Sequence, residues 1–328
     1  MVTISDVAKE AGVSVSTVSR AINNSMLVSQ EKKERVMEAI KKLGYKQIRI
    51  TAARKAQLSK IIVFVTAMLN DELLDGARQA AESLGYIMVV TYVGETAYYQ
   101  GTLDFIKNIP DHLIGGLIFY HNVCNDSEVW KELSKYPNVQ IGECLPCSPL
   151  NTIKINDYHA SYDMTSYLIK TGRKKIAFAQ SPTGLKFDFS EKRRYGFCDA
   201  LKNAGLDVKN EYFIEVDHTL EGGADVARWL YTLDPRPDSV VCTSDYIAVG
   251  CINELDRLGV KVPEEIAVTG FDSLLISESC NPMVTTVSQP FNEMGAEAVY
   301  MLDRILSNNS ETGKHLVLDY SLEIREST

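Results

Sequence analysis

Arg20, Ser16 and Val15 are the side chains in this sequence best suited to reading a surface. An arginine can bond a guanine edge through two donors, a hydroxyl can serve a base or a phosphate, and a small apolar group fits a thymine methyl. Each also has a plainer reading: Val15 stapling a helix start, Ser16 solvated, and Arg20 touching only phosphate, because half or more of such contacts go to the nucleic-acid backbone. The spacings that covalent chemistry needs do not occur. There is no Gly-x-Ser-x-Gly, no Walker lysine loop, no His-Glu-x-x-His and no dinucleotide Gly-x-Gly-x-x-Gly. Cys144-Leu145-Pro146-Cys147 has metal or redox spacing, but no second Cys/His pair accompanies it, and it follows a strand rather than opening a helix. His112, His121, His159 and His315 form no ligand-spaced cluster. The expected chemistry is recognition, with no catalytic residue, metal or cofactor.

The elements that must carry these residues are short helices. Thr3 can cap a helix whose third position is Asp6, which places Val7, Ala8 and Ala11 on one face. Gly12 ends that helix, and Ser14 can cap the next, running through Ser16, Thr17, Val18, Ser19, Arg20, Ala21 and Ile22. Val18 and Ile22 share its inner face, so Val15, Ser16 and Arg20 fall on the outer, leading side. With Val13 filling the angle, this predicts a helix-turn-helix, followed by a third helix from Gln30 to Leu43 capped by Ser29 and closed by Gly44.

Charge supports a polyanion partner for that segment alone. Residues 1–60 hold 12 Lys/Arg and 5 Asp/Glu, a balance of +7, so the net -9 of the chain leaves -16 on residues 61–328. A small basic head on a large acidic body fits a nucleic-acid-binding module joined to something that binds no polyanion. The 328 residues, 45% hydrophobic, predict two or three domains. Seven scattered cysteines, a start with no basic or greasy leader, and the lack of a roughly 20-residue apolar run predict a reducing cytoplasm and no membrane partner.

From Lys60 onward, apolar runs alternate with amphipathic ones. Strands are expected at 61–65, 87–92, 116–120, 139–142, 175–179, 212–216, 239–243 and 266–270, with a last one over 316–324. Helices are expected at 71–84, 160–170, 191–203, 223–230 and 246–258. The pattern predicts an α/β body of mainly parallel sheets in two similar lobes, whose default ligand site is the cleft beyond the carboxyl ends of the strands.

The run from Thr3 to Asn23, Thr-Ile-Ser-Asp-Val-Ala-Lys-Glu-Ala-Gly-Val-Ser-Val-Ser-Thr-Val-Ser-Arg-Ala-Ile-Asn, resembles the N-terminal signature of the lactose/galactose repressor (LacI/GalR) family nearly residue for residue. Three further stretches are similar to family signatures in order and spacing: Ser244 to Gly250, Val262 to Asp272 and Thr285 to Pro290. The resemblance implies a small all-α helix-turn-helix headpiece and a two-lobed periplasmic-binding-protein-like core. By it, residues 1–45 are the headpiece, 46–59 a hinge or linker, and 60–328 the core. Lobe one would take 60–158 and 289–316, and lobe two 159–288 and 317–328. It also implies that Val15, Ser16 and Arg20 read bases, that Ser14, Thr17 and Ser19 lie near phosphates, and that Thr3 and Asn23 complete the DNA contacts.

The joint departs from the pattern. Family members follow the third helix with Tyr-x-Pro-Asn and then Ala-Arg-x-Leu, whose leucine wedges into the minor groove. Here Pro and Asn are replaced and the spacing is longer, from Tyr45 to Leu58, with Ala56 in the leucine slot. Alanine is too short to hold a base step apart well. Leu58 or Ile50 can take that role, and a plain basic linker is the other reading.

In the body the resemblance nominates a pocket: Arg193 and Asp245 as the pair that bonds an effector, His218 as a ring that stacks on it, Gln289 and Phe291 on a crossing strand, and Tyr120 at the end of the third strand. An interlobe salt bridge, a solvated loop histidine and a core phenylalanine are the plainer roles for Arg193, His218 and Phe291. Near Met68 to Asn70 the chain is about three residues shorter than family members, so first-loop contacts do not carry over. Three functions follow: a repressor controlled by a small-molecule effector, a plain sugar-binding protein, or a DNA-binding regulator without such control. The first is favoured, as a homodimer on palindromic double-stranded operator DNA with a sugar or glycoside effector, a nucleoside being the alternative.

Overall fold

The structure, a computed structural model, describes residues 4–14, 17–18, 21, 29–43, 61–93, 98–110, 113–120, 131–142, 151–181, 188–308 and 314–328. These fall into two compact units, Met1–Leu58 and Ser59–Thr328.

The first unit is helical. In α1 (Ile4–Ala11), Val7, Ala8 and Ala11 are spaced three and four apart and bury against Val18, Ala21, Val36 and Ala39, with Val13 partly covered in the angle. Gly12 takes φ 63°, a left-handed value glycine adopts without strain, and Val13 N–H closes the turn on Ala8 O at 3.0 Å. Ser14 Oγ then accepts from Thr17 N–H at 3.2 Å, and Val18 N–H bonds Ser14 O at 3.0 Å, so Ser14 caps the helical turn that holds Thr17 and Val18. From α2 (Gln30–Leu43), Arg35 donates to Ala11 O at 2.6 Å and satisfies an end carbonyl of α1.

The second unit holds two six-stranded sheets. In one, the order is β11-β5-β4-β3-β1-β2, from β1 (Ile61–Thr66), β2 (Ile87–Tyr92), β3 (Ile114–Tyr120), β4 (Asn138–Ile141), β5 (Asn151–Lys154) and β11 (His315–Val317), every pair parallel. It packs with α3 (Asp71–Ser83), α4 (Tyr98–Lys107) and, from far along the chain, α10 (Phe291–Asn308). The other runs β12-β10-β9-β8-β6-β7, from β6 (Ile176–Gln180), β7 (Phe213–Glu215), β8 (Ser239–Cys242), β9 (Ala267–Asp272), β10 (Thr285–Ser288) and β12 (Ser321–Glu323), with only β12 antiparallel. Its helices are α5 (Asp157–Lys170), α6 (Asp188–Asn203), α7 (Leu220–Thr232), α8 (Asp245–Arg257) and the short α9 (Leu275–Glu278). Fully buried β3 and β8 are near-continuous apolar runs, as parallel strands covered on both faces must be.

Among the described residues three crossings join the sheets: Ile155–Asn156, Gln289–Pro290 and Leu318–Tyr320. The single last strand expected over 316–324 is in fact two strands. Val317 pairs with Lys154 in the first sheet and Leu322 with Val287 in the second, because the chain changes lobe between them. Phe291 opens α10 rather than lying on a crossing strand. α3 and α10 meet backbone to backbone. A Cβ on Gly76 would come 1.9 Å from Asn292 O, and one on Gly295 would come 2.0 Å from Leu73 O.

Candidate functional site

Residues at or just beyond the ends of β1, β3, β8 and β9 (Asn70, Tyr120, Thr243 and Asp272) interact with one another or with Arg193, and helices begin beyond β1, β5 and β8. Side-chain caps hold three of those starts: Asn70 Oδ1 accepts from Leu73 N–H at 3.0 Å, Asn156 Oδ1 from His159 N–H at 3.1 Å, and Ser244 Oγ from Ile247 N–H at 3.4 Å. Arg193 of α6 projects here and is 6% exposed. Its guanidinium lies 3.4 Å from the centre of the Phe271 ring and 4.8 Å from that of Phe189. Nε donates to Asp157 Oδ1 at 2.9 Å and Nη1 to Thr243 O at 2.9 Å, while Nη2 lies 2.8 Å from Asp157 Oδ1 as an ion pair. Among the described residues this engages two of the five N–H donors a guanidinium carries as hydrogen bonds, leaving donors on both terminal nitrogens.

Three carboxyl and phenol groups complete the cluster. Asp157 lies above the usual carboxylate range, pushed up by burial and by the charge of Asp272, while Arg193 pulls it down. Asp272, at the end of β9, accepts from Gln289 Nε2 at 2.6 Å. Tyr120, at the end of β3, is buried and meets Phe291 edge to face at 6.5 Å. Its phenol is raised well above 10 first by burial and then by the Asp272 charge, against a hydrogen bond from the Asn70 side chain and the charge of Arg193. Tyr120 and Asn70 from the first lobe thus share one electrostatic environment with Arg193, Asp157 and Asp272 from the second.

Of the residues nominated from sequence, Arg193, Tyr120, Gln289 and Phe291 come together here. Asp245 does not face the cleft with a free carboxylate. It is 0% exposed, and its oxygens accept from Leu274 N–H and Thr286 Oγ1, both at 2.6 Å. His218 lies exposed beyond β7, with its ring edge-on to Tyr246 at 6.0 Å. Sequence reading missed Asp157, Asp272 and Asn70. Asn70 carried a signal as a polar cap candidate directly before an amphipathic helix, and Asp272 one as the polar residue ending an apolar strand.

On the headpiece, Ser14 and Thr17 are described and lie at the start of the second helix, their hydroxyls 2.8 Å apart. Thr3, Val15, Ser16, Ser19, Arg20, Asn23 and Leu58 lie outside the described residues, as do Cys144, Cys147, His112 and His121. Among the described residues no group of three or more His, Cys, Asp and Glu could hold a metal ion, and no helix is long and apolar enough to cross a membrane.

Residues 3–47 match the family described as bacterial regulatory proteins, lacI family, and residues 165–328 match the periplasmic binding protein-like domain. The chain is 31% identical to the HTH-type transcriptional repressor CytR of Escherichia coli (strain K12), over 99% of this chain and 96% of that protein. It is 30% identical to the HTH-type transcriptional repressor PurR of Vibrio vulnificus (strain CMCP6), over 93% of this chain and 92% of that one. Among solved structures, the transcriptional regulator CelR in complex with cellobiose is similar in fold, with a TM-score of 0.75, 26% identity and full coverage of both chains.

Proposed function

This chain belongs to the lacI family of bacterial regulatory proteins, and from that premise we propose that it represses transcription by binding operator DNA until a small hydroxyl-rich molecule enters the cleft between its lobes. A DNA-binding head and an effector-binding core are what the family supplies. The choice of effector class rests on one observation. The Phe271 face is already covered by the Arg193 guanidinium at 3.4 Å, so the cluster offers N–H donors and carboxylate acceptors rather than an open ring for a base to stack on. Sugar hydroxyls, each both donor and acceptor, satisfy such a set. CelR, similar in fold, is solved with cellobiose.

Arg193, Asp157, Asp272, Gln289 and Tyr120 are the residues assigned to the effector, with Phe291 backing Tyr120. Val15, Ser16 and Arg20 read bases, Ser14, Thr17 and Ser19 lie near phosphates, and Thr3 and Asn23 complete the DNA contacts, with Leu58 at the joint. One headpiece spans a half-site, so the working form is a homodimer on a palindrome. The edge strand β2 leaves Ile87 and Tyr92 more than half exposed, an apolar edge that a second copy can cover. Effector closing the lobes moves the 46–58 segments and weakens operator binding by a coupling of roughly 1–3 kcal/mol.

Titration calorimetry of the full chain against cellobiose, other sugars and the four ribonucleosides tests this, paired with operator binding by fluorescence anisotropy. Binding of a sugar that loosens the operator complex is expected. Binding of a nucleoside alone overturns the effector class, and a protein that prefers no promoter fragment over random DNA overturns the repressor.

A further inference from the structure

Asp272 and Ser273 are consecutive residues with φ of 106° and 56°, left-handed values that side-chain-bearing residues keep only when their surroundings hold them. The holding contacts are all present. Leu274 N–H donates to Asp245 Oδ2 at 2.6 Å, and Ser273 Oγ meets Arg325 Nη2 at 3.1 Å. Arg325 is itself fixed by Val284 O at 3.0 Å and Glu278 Oε1 at 2.8 Å. The second oxygen of Asp245 accepts from Thr286 Oγ1 on β10 at 2.6 Å. Three residues further on, at the lobe crossing, Gln289 donates to the Asp272 carboxylate at 2.6 Å. Strand β9 is shaped to admit Asp245: a Cβ on Gly270 would come within 2.2 Å of Asp245 Oδ1.

We propose that Asp245 is a positioning residue that acts through the Asp272–Ser273 turn, setting the cleft carboxylate in place and tying it to β10, the strand that leads into the Gln289–Pro290 crossing. The inference deepens the effector reading of the cleft and rests on it. Asp245 is 0% exposed, with both oxygens taken by Leu274 N–H and Thr286 Oγ1. It holds the Leu274 amide just beyond the turn while Gln289 holds the Asp272 side chain, and the two ties, Thr286 and Gln289, lie on one run of chain. Filling the cleft against Asp272 therefore pulls on the strand that joins the lobes.

Both protonation states of Asp245 can keep these bonds. The carboxyl is pushed up to about 8, first by burial and then by the Asp272 charge, with Thr286, Leu274 and Arg325 working against them. The titratable and charged groups facing it are Asp272 of β9, Arg325 of the C-terminal segment, Cys242 of β8 and Cys280 beyond α9. As an anion it accepts both bonds. As an acid it donates from Oδ1 to Thr286 Oγ1, whose own proton turns to Val287 O at 3.4 Å. An asparagine reproduces the acid form, donating to Thr286 and accepting from Leu274; an alanine does neither.

The test uses the full chain, with cellobiose and the four ribonucleosides as calorimetric probes and amide exchange over residues 272–276 as a readout that needs no probe. Asp245→Ala should weaken probe binding by about tenfold at pH 7, the loss expected when a buried donor is left unbonded, and should speed exchange of the Leu274 amide. Asp245→Asn should stay within about threefold of the wild type at pH 7 and carry none of whatever affinity change the titration of Asp245 gives the wild type between pH 7 and pH 9. Gly270→Ala, which displaces the carboxylate without deleting it, should follow Asp245→Ala. Should Asp245→Ala fail to fold, Thr286→Val, which cuts only the tie to β10, is measured instead, with the same direction expected. Wild-type affinity and exchange in these variants, or an asparagine as weak as the alanine, would overturn the positioning role. If the wild-type chain binds none of the probes, the effector reading fails, while amide exchange still decides the role of Asp245.

Discussion

Replacing Arg193 with methionine removes the partner of a carboxyl that has no easy exit to water. The side chains of Arg193 and Asp157 are 7% and 12% exposed. Left alone, Asp157 either stays charged in a poorly solvated site or takes up a proton, and the cheaper route limits the loss. Keeping an acid of ordinary pKa 3.8 neutral costs about 1.36 kcal/mol per pH unit above that value, which is about 4 kcal/mol at pH 7 and about 1.6 at pH 5. These are upper bounds, because burial already holds Asp157 above the ordinary range in the parent. The sign follows from the raised value. A carboxyl that prefers its neutral form when folded lends stability at low pH and loses it as pH climbs from its ordinary pKa through its folded one. The stability gap between parent and Arg193→Met should therefore widen from pH 5 to pH 7. Urea unfolding read by tryptophan fluorescence suits the measurement, since Trp229 packs against the core of the second lobe. The double variant Arg193→Met/Asp157→Asn should show a gap that no longer changes with pH. An equal gap at both pH values, or a double variant as pH-dependent as the single, would refute the reasoning.

Further outcomes are expected elsewhere in the chain. Gly76→Ala places a Cβ 1.9 Å from Asn292 O and should destabilise the first lobe by about 1–3 kcal/mol, seen as a lower thermal midpoint; an unchanged midpoint would show that α3 and α10 separate freely. Ser14→Ala removes the cap on Thr17 N–H and should cost the headpiece about 1 kcal/mol, read as faster amide exchange over residues 14–21. Arg20→Ala should flatten preference among operator sequences, and uniform weakening on all DNA would assign it to phosphate instead. Leu58→Ala should weaken specific binding if Leu58 is the wedge; no change favours the basic linker.

How much could be read beforehand depended on how local the determining physics was. The Gly12 turn, the Ser14 cap and the Val7/Ala8/Ala11 face involve neighbours within about one helical turn, and each reads directly from residue order. So do long strands such as β1 and β3, where the apolar run is unbroken. Strand β5, Asn-Thr-Ile-Lys, has neither alternation nor an apolar run, and it exists because β4 and β11 flank it. The split of the last extended segment into β11 and β12 is equally invisible, since only distant partners distinguish its two halves. The cleft shows the same limit. Asp245 and Asp272 both sit at strand ends in family-like motifs, and residue type alone does not separate them. Burial does: the close approach of β9 at Gly270 encloses the first, while the left-handed turn carries the second outward.

The order of strands also fixes a timetable for synthesis. Each sheet has a member near residue 320, β11 for one and β12 for the other, so neither lobe can finish its hydrogen-bonded edge until that stretch of chain has left the ribosome. The helical head, complete within its first few dozen residues, has no such wait. The recognition module is thus folded well before either lobe can close its last edge.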